Sequence, residues 1–296
     1  MKTKLVLFAI VLVVSGQAGA QDYAFKVLAN KGKNEIKSGN NWQQLKVGTS
    51  LKKEDELRIS ENAYLGLVHV TGKAIEVRKA GTYKVMDLAG EVKESTTVMK
   101  KYTDFMLSSN TGPRNTLAAT GAVDRGSSGI NVYLPRPERA VVYSDKVTIN
   151  WEGEKTLAPY VVIFESMFGD ELATKETSDN SIIIDLSDPS LANEDNINVT
   201  VQSKANKNKI SNKYTLKRLS RADKERIKTE LAKVQANATE PTAINKMSIA
   251  AFFEENNLLI DAIPYYQEAI KLAPDVPDYK DYYRDFLVRC GIQIKK

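Results

Sequence analysis

From Tyr23 to about Glu91, apolar and polar residues alternate in short runs broken by glycine, asparagine and lysine, the period-two pattern of strands with one covered face. Phe25, Val27 and Ala29 form the first run, closed by a turn at Lys31 to Asn34; Trp42, Leu45, Val47 and Leu51 follow around Gly48. Leu57 and Ile59 precede a dense run, Tyr64, Leu65, Leu67, Val68 and Val70, which a turn at Thr71 to Lys73 reverses into Ile75 and Val77. Gly81 then lets the chain double back before Tyr83 and Val85. The pattern predicts a small antiparallel barrel or sandwich. Over Val92 to Leu107 the period becomes helical, with Val92, Met99, Tyr102, Phe105 and Met106 on one face and Lys93, Glu94, Lys100 and Lys101 on the other. This helix is expected to cover one side of the β-module, giving a first domain over 21–107.

Ser108 to Gly129 has few large apolar groups and four glycines among small polar residues, and reads as a flexible linker. Strand patterns resume over 130–219: Val147 to Trp151, Pro159 to Phe164, a turn at Gly169 and Asp170, Ile182 to Ile184 with Leu186, the alternating Ile197, Val199 and Val201, then Tyr214 and Leu216. After residue 220 the chain is helical. Ser220 is an N-cap for Arg221 to Ala236; two helices follow at Ala243 to Glu255 and Leu259 to Ala273, and a third from about Asp278 to Cys290. Ala250 and Ala262 are small enough to let paired helix axes approach closely, Phe253 and Tyr266 flank them, Asn256 and Asn257 supply the turn, and Pro274 ends the second helix.

Three resemblances follow from these motifs. Leu45, Val47, Gly48, Leu51, Asp55 and Leu57, then Ala63 to Leu65, Ile75, Val77, Gly81 and Tyr83, resemble the periplasmic FecR-like domain over roughly Phe25 to Val92. The membrane segment and cytoplasmic anti-sigma region of the regulator-type members are absent, so the resemblance implies a periplasmic β-domain without the signalling role. Residues 130–219 resemble a fibronectin type III or immunoglobulin-like sandwich with Trp151 at its buried tryptophan position. Ala250 to Pro274 resembles one tetratricopeptide repeat within a helical bundle over 220–296, and such repeats present surfaces to other proteins. The expected fold is therefore multi-domain: two mainly β domains followed by an all-α helical-repeat bundle.

Lys2 and Lys4, the apolar run Leu5 to Val14 and the Ala18-Gly19-Ala20 ending read as a signal peptide cleaved after Ala20, and no cysteine follows that could carry a lipid anchor. The chain is thus expected to be exported, to the periplasm or the cell surface. The one cysteine, Cys290, has no intramolecular partner and reads as a buried thiol. His69, the one histidine, has no second imidazole for a metal site or catalytic relay. Net charge is +5, or +3 without Lys2 and Lys4. The lysine cluster at Lys204, Lys207, Lys209 and Lys213 has no interleaved aromatics, which argues against nucleic acid.

These features exclude most enzyme classes, and no catalytic, cofactor-binding or metal-binding residue is expected. The reading is a non-enzymatic envelope scaffold or adaptor for other envelope proteins. Its candidate binding residues are Tyr265, Tyr279 and Tyr283, because tyrosine offers a large rigid face at low entropic cost. The alternative is a periplasmic ligand-, glycan- or peptidoglycan-binding protein using Trp42, Tyr64 and Tyr83, which requires those three aromatics to share an accessible face.

Overall fold

The computed structural model describes residues 23–92, 97–111, 129–135 and 140–291. The signal-peptide segment and most of the expected linker lie outside them. Sheets occupy the N-terminal and central parts and helices the C-terminal part, the coarse layout that the periodicities predict.

Eight strands build the first module: β1 (Phe25–Lys31), β2 (Asn34–Ser38), β3 (Asn41–Gln44), β4 (Ser50–Leu51), β5 (Glu56–Ile59), β6 (Tyr64–His69), β7 (Ala74–Val77) and β8 (Gly81–Lys84). They form two four-stranded sheets, ordered β4-β1-β6-β7 and β3-β2-β5-β8, around a core of Phe25, Val27, Leu51, Leu57, Leu65 and Leu67. The short helix α1 (Val85–Gly90), absent from the expectations, adds Val85 and Leu88 to that core. The turn before β2 rests on Asn34, whose buried amide donates to Asn30 Oδ1, Lys31 O and Tyr64 O.

The next helix, α2 (Thr97–Thr111), corrects two expectations. Its first residues of the assumed linker, Ser108 to Thr111, are helical. Its apolar side also belongs to the C-terminal helices: Tyr102, Met106 and Leu107 lie in their core, with the Tyr102 ring edge-on to Phe252 at 5.0 Å. A stripe of large apolar residues specifies burial without specifying the neighbour.

The central module contains β9 (Ile130–Val132), β10 (Val141–Val142), β11 (Lys146–Gly153), β12 (Tyr160–Glu165), β13 (Glu171–Thr177), β14 (Ser181–Asp185), β15 (Asn196–Ser203) and β16 (Tyr214–Arg218). A five-stranded sheet, β10-β16-β15-β12-β13, and a three-stranded one, β14-β11-β9, share a core of Val147, Ile149, Trp151, Tyr160, Phe164 and Val199. Trp151 is buried edge-on to Tyr160 at 5.4 Å.

Helices α3 (Arg221–Asn237), α4 (Ala243–Glu255), α5 (Leu259–Leu272) and α6 (Pro277–Arg289) follow among the described residues. Ser220 and Thr242 cap α3 and α4 by accepting from the backbone N–H of Asp223 and Asn245. Ala250 and Ala262 are fully buried, as a close α4/α5 contact requires, and Asn257 takes the left-handed conformation (φ 57°) in the turn between them. α4 is apolar nearly all round, burying ten of its thirteen residues, because other elements cover it on several sides.

Candidate functional site

The five tyrosines of the bundle do not form one surface. Tyr279 is 0% exposed and faces the β4-β1-β6-β7 sheet of the first module. Tyr64 sits opposite at 2% exposure and donates to Glu76 Oε1 at 2.8 Å, so the Tyr279 hydroxyl is the donor in the 2.5 Å contact between the two phenols. Glu76 Oε1 also accepts the Ile244 backbone N–H at 3.2 Å, and Arg78 holds Oε2 while stacking over the Tyr64 ring. Burial pushes both phenols well above the ordinary tyrosine range, so they act as neutral donors.

More of α6 is committed to the same sheet. The Tyr282 hydroxyl donates to Leu28 O, and Asp278 Oδ2 accepts the Asn30 backbone N–H at 2.9 Å. Lys31 pairs with Asp275 just before the helix. Leu28, Ala29, Tyr64, Val68 and Ala74 of the sheet therefore lie in one core with Ile244, Tyr279 and Tyr282, while Leu65 and Leu67 point into the module's own core. Strand β6 is covered on both faces. Gly66 makes this close approach feasible, since a Cβ there would meet Ala29 and Ile244 at 3.3 Å and the Tyr279 hydroxyl at 3.4 Å.

The bundle also grips the central module. Asp261, in the first turn of α5 and 4% exposed, accepts the backbone N–H groups of Tyr143 and Ser144 at 2.8 and 2.9 Å. Ile260 enters the central module's core, and Tyr143 packs on Phe253. Lys224 of α3 pairs with Asp145 at 2.8 Å. Burial pushes the Asp261 carboxyl up, opposed by the Ser144 hydroxyl, the two amides and Lys224.

Tyr279 is thus corrected from an exposed binding residue to a buried strut between helix and sheet. Tyr265 and Tyr283 remain half-buried: Tyr265 stacks on Phe253 at 5.3 Å beneath Lys246, and Tyr283 stacks on Tyr266 at 5.7 Å while accepting from Gln267. The ligand alternative loses its geometry as well. Trp42 lies on the solvent side of edge strand β3 with Arg58 4.4 Å and Lys37 5.9 Å from its ring, Tyr83 donates to Lys79 O beside the module core, and Tyr64 is inside the helix seam. The three aromatics share no accessible face, and cationic side chains already stack on Trp42.

His69 is half-buried, with Nδ1 against Thr71 Oγ1 at 2.8 Å and its ring edge-on to Phe25. Cys290 is buried. Asp185 and Asp188 each close a local turn, accepting from Ser187 and Ser190.

No known protein-family model and no curated protein matches this chain.

Sequence reasoning missed two sets of residues. One is the Asp261 clamp, for which the sequence signal was an acid among the otherwise apolar residues Leu258 to Ile263 at a helix start. The other is the hairpin tip between β12 and β13, where Met167 is 55% and Phe168 96% exposed. Two large apolar residues just before a Gly-Asp turn were its sequence signal.

Proposed function

We propose that the chain is an exported, non-enzymatic scaffold or adaptor of the cell envelope that holds other proteins on a fixed frame. The observation that carries this reading is the double attachment of the helices: Tyr279 and Tyr282 join them to the first module, and Asp261 and Ile260 join them to the second. An adaptor that keeps its partners in a set relation needs such a frame, because each immobilised module loses less entropy on binding than a tethered one.

The strand orders support FecR-like and immunoglobulin-like readings of the two β-modules, the latter through three strands facing a five-stranded sheet around Trp151. The α4/α5 pair supports the tetratricopeptide-like reading, with α3 and α6 as its neighbours.

Crosslinking in living cells, followed by purification from the envelope fraction and mass spectrometry, tests the proposal. A defined partner should be recovered, and its yield should fall in a Tyr265→Ser/Tyr283→Ser variant beyond any change in thermal stability. Recovery of the chain without a reproducible partner, or of the chain in the cytoplasm alone, overturns it.

A further inference from the structure

Phe168 is held out on a rigid support. Ser166 Oγ accepts the backbone N–H groups of Phe168 and Asp170, both at 3.1 Å, Ser166 N donates to Asp170 O at 2.8 Å, and Asn198 Nδ2 donates to Ser166 O at 3.0 Å. Gly169 supplies the left-handed turn residue at φ 93°. A backbone fixed in this way loses little conformational entropy when the two apolar side chains it carries dock. The acids Asp170 and Glu171 stand directly beside them, and Glu165 below is paired to Lys213.

A complementary surface lies elsewhere on the same chain. Where the central module meets α3 and the α4/α5 turn, an open cleft of about 320 Å³ is floored by Val141, Leu219 and Leu258. Lys217, exposed at the rim, lines it together with Arg218, whose guanidinium is bonded to the carbonyls of Leu186, Leu191 and Glu194, Arg226, which pairs with Asp223 and Glu230, and the polar Asn256 and Asn257. The tip is convex, apolar and acidic at its margin; the cleft is concave, apolar-floored and basic at its margin.

The tip cannot reach its own cleft. Tip and cleft are at the same end of the five-stranded sheet, since Glu165 pairs with Asn198 and Asn196 with Lys217. They are at opposite edges of it, β12/β13 against β16/β10, about 14 Å apart at the usual strand spacing. The hairpin is too tightly bonded to bend across.

We infer that the Met167–Phe168 tip docks in the Lys217/Arg226 cleft of a second copy of this chain. Tip and cleft at one end and opposite edges let a pair close with both contacts made at once. The acids beside the tip make an anionic lipid surface the poorer occupant. This self-pairing goes beyond the adaptor reading and does not depend on it, since it concerns the purified chain alone.

Sedimentation velocity on purified residues 21–296, which contain every described element, tests it. The protein should shift from monomer toward dimer as its concentration rises. Phe168→Ser, at a site with almost no internal contact, and Lys217→Glu/Arg226→Glu on the cleft should each weaken association at least tenfold with circular dichroism unchanged. Mixing the two variants should restore a dimer, because one then supplies an intact cleft and the other an intact tip. Wild-type protein that stays monomeric up to about 1 mM, the scale of a very weak contact, overturns the inference. So does association that either variant leaves intact, or a mixture no more associated than its components. Co-sedimentation of a monomeric wild type with phosphatidylcholine vesicles, lost in Phe168→Ser, assigns the tip to lipid instead.

Discussion

The hydroxyl of Tyr279 on α6 donates to the hydroxyl of Tyr64 on β6 across 215 positions of sequence, and Tyr64 passes the bond on to Glu76. Replacing Tyr279 by Phe keeps the ring and leaves Tyr64 its Glu76 partner, so the expected loss is about 1 kcal/mol. Tyr279→Ala also removes the ring from a fully buried position and should cost about 3 to 5 kcal/mol. Urea unfolding checks both: the midpoint should fall in that order. An alanine variant as stable as wild type would mean that the seam between α6 and the sheet does not persist in solution.

Gly66 sits beneath the same seam, and its missing side chain is what lets Ala29, Ile244 and Tyr279 close over β6. Gly66→Leu should force the helices away from the sheet, at about 1 to 3 kcal/mol for overpacking. Limited proteolysis under native conditions should then cut between α5 and α6 faster than in wild type. Unchanged cleavage would show that the seam has room to spare.

The Asp261 carboxylate satisfies two backbone N–H groups, those of Tyr143 and Ser144. Asp261→Ala leaves both without their acceptor and should cost about 2 to 6 kcal/mol, at 1 to 3 kcal/mol for each buried donor. The pH dependence has a defined sign. Burial raises the folded-state pKa above the unfolded value, so the folded chain binds the extra proton between the two. Asp261's linked contribution is fully present below the unfolded pKa of about 3.9 and is lost as pH rises through the folded value. The stability of wild type minus that of Asp261→Asn should therefore decline with rising pH above about 4. Thermal melts of the two proteins from pH 4 to 7 test this, and a difference that grows with pH contradicts it.

In the central module, a Cβ on Gly153 would collide with the Tyr160 hydroxyl and lie 3.1 Å from its Cζ. Tyr160 is fully buried and edge-on to Trp151, so the ring cannot swing aside freely. Gly153→Ala should cost about 1 to 3 kcal/mol and shift Trp151 fluorescence to longer wavelength as water reaches the indole. Measuring in a Trp42→Phe background isolates that signal, and an unchanged spectrum with unchanged stability counts against the packing described.

What the amino-acid pattern discloses and what it hides divide along sequence distance. The α4 and α5 spans and the Asn257 turn follow from signals within one or two turns of chain, and so does the burial of Val147, Ile149 and Trp151 on alternate positions of β11. Such signals state that a face is covered. They do not state by what. The apolar side of α2 was equally suited to a sheet or to a helix, and Tyr279 looked like a surface aromatic because its partner, Tyr64, is far away in sequence. One clue was available: Tyr64 to Val68 has no polar position, and strands that read this way have cover on both faces. The Met167–Phe168 tip runs against the rule that large apolar residues lie inside, because the tight turn between β12 and β13 directs both outward.

The lid over β1, among the first elements of the chain, is α6, among the last, so the earliest strands cannot reach their final environment until nearly the whole polypeptide has emerged. Contacts of such long range slow folding, and until they form Leu28, Ala29 and Val68 present an oily sheet surface. Nascent chains stalled before α6 should therefore need a chaperone to shield that surface, whereas chains that have released α6 should not.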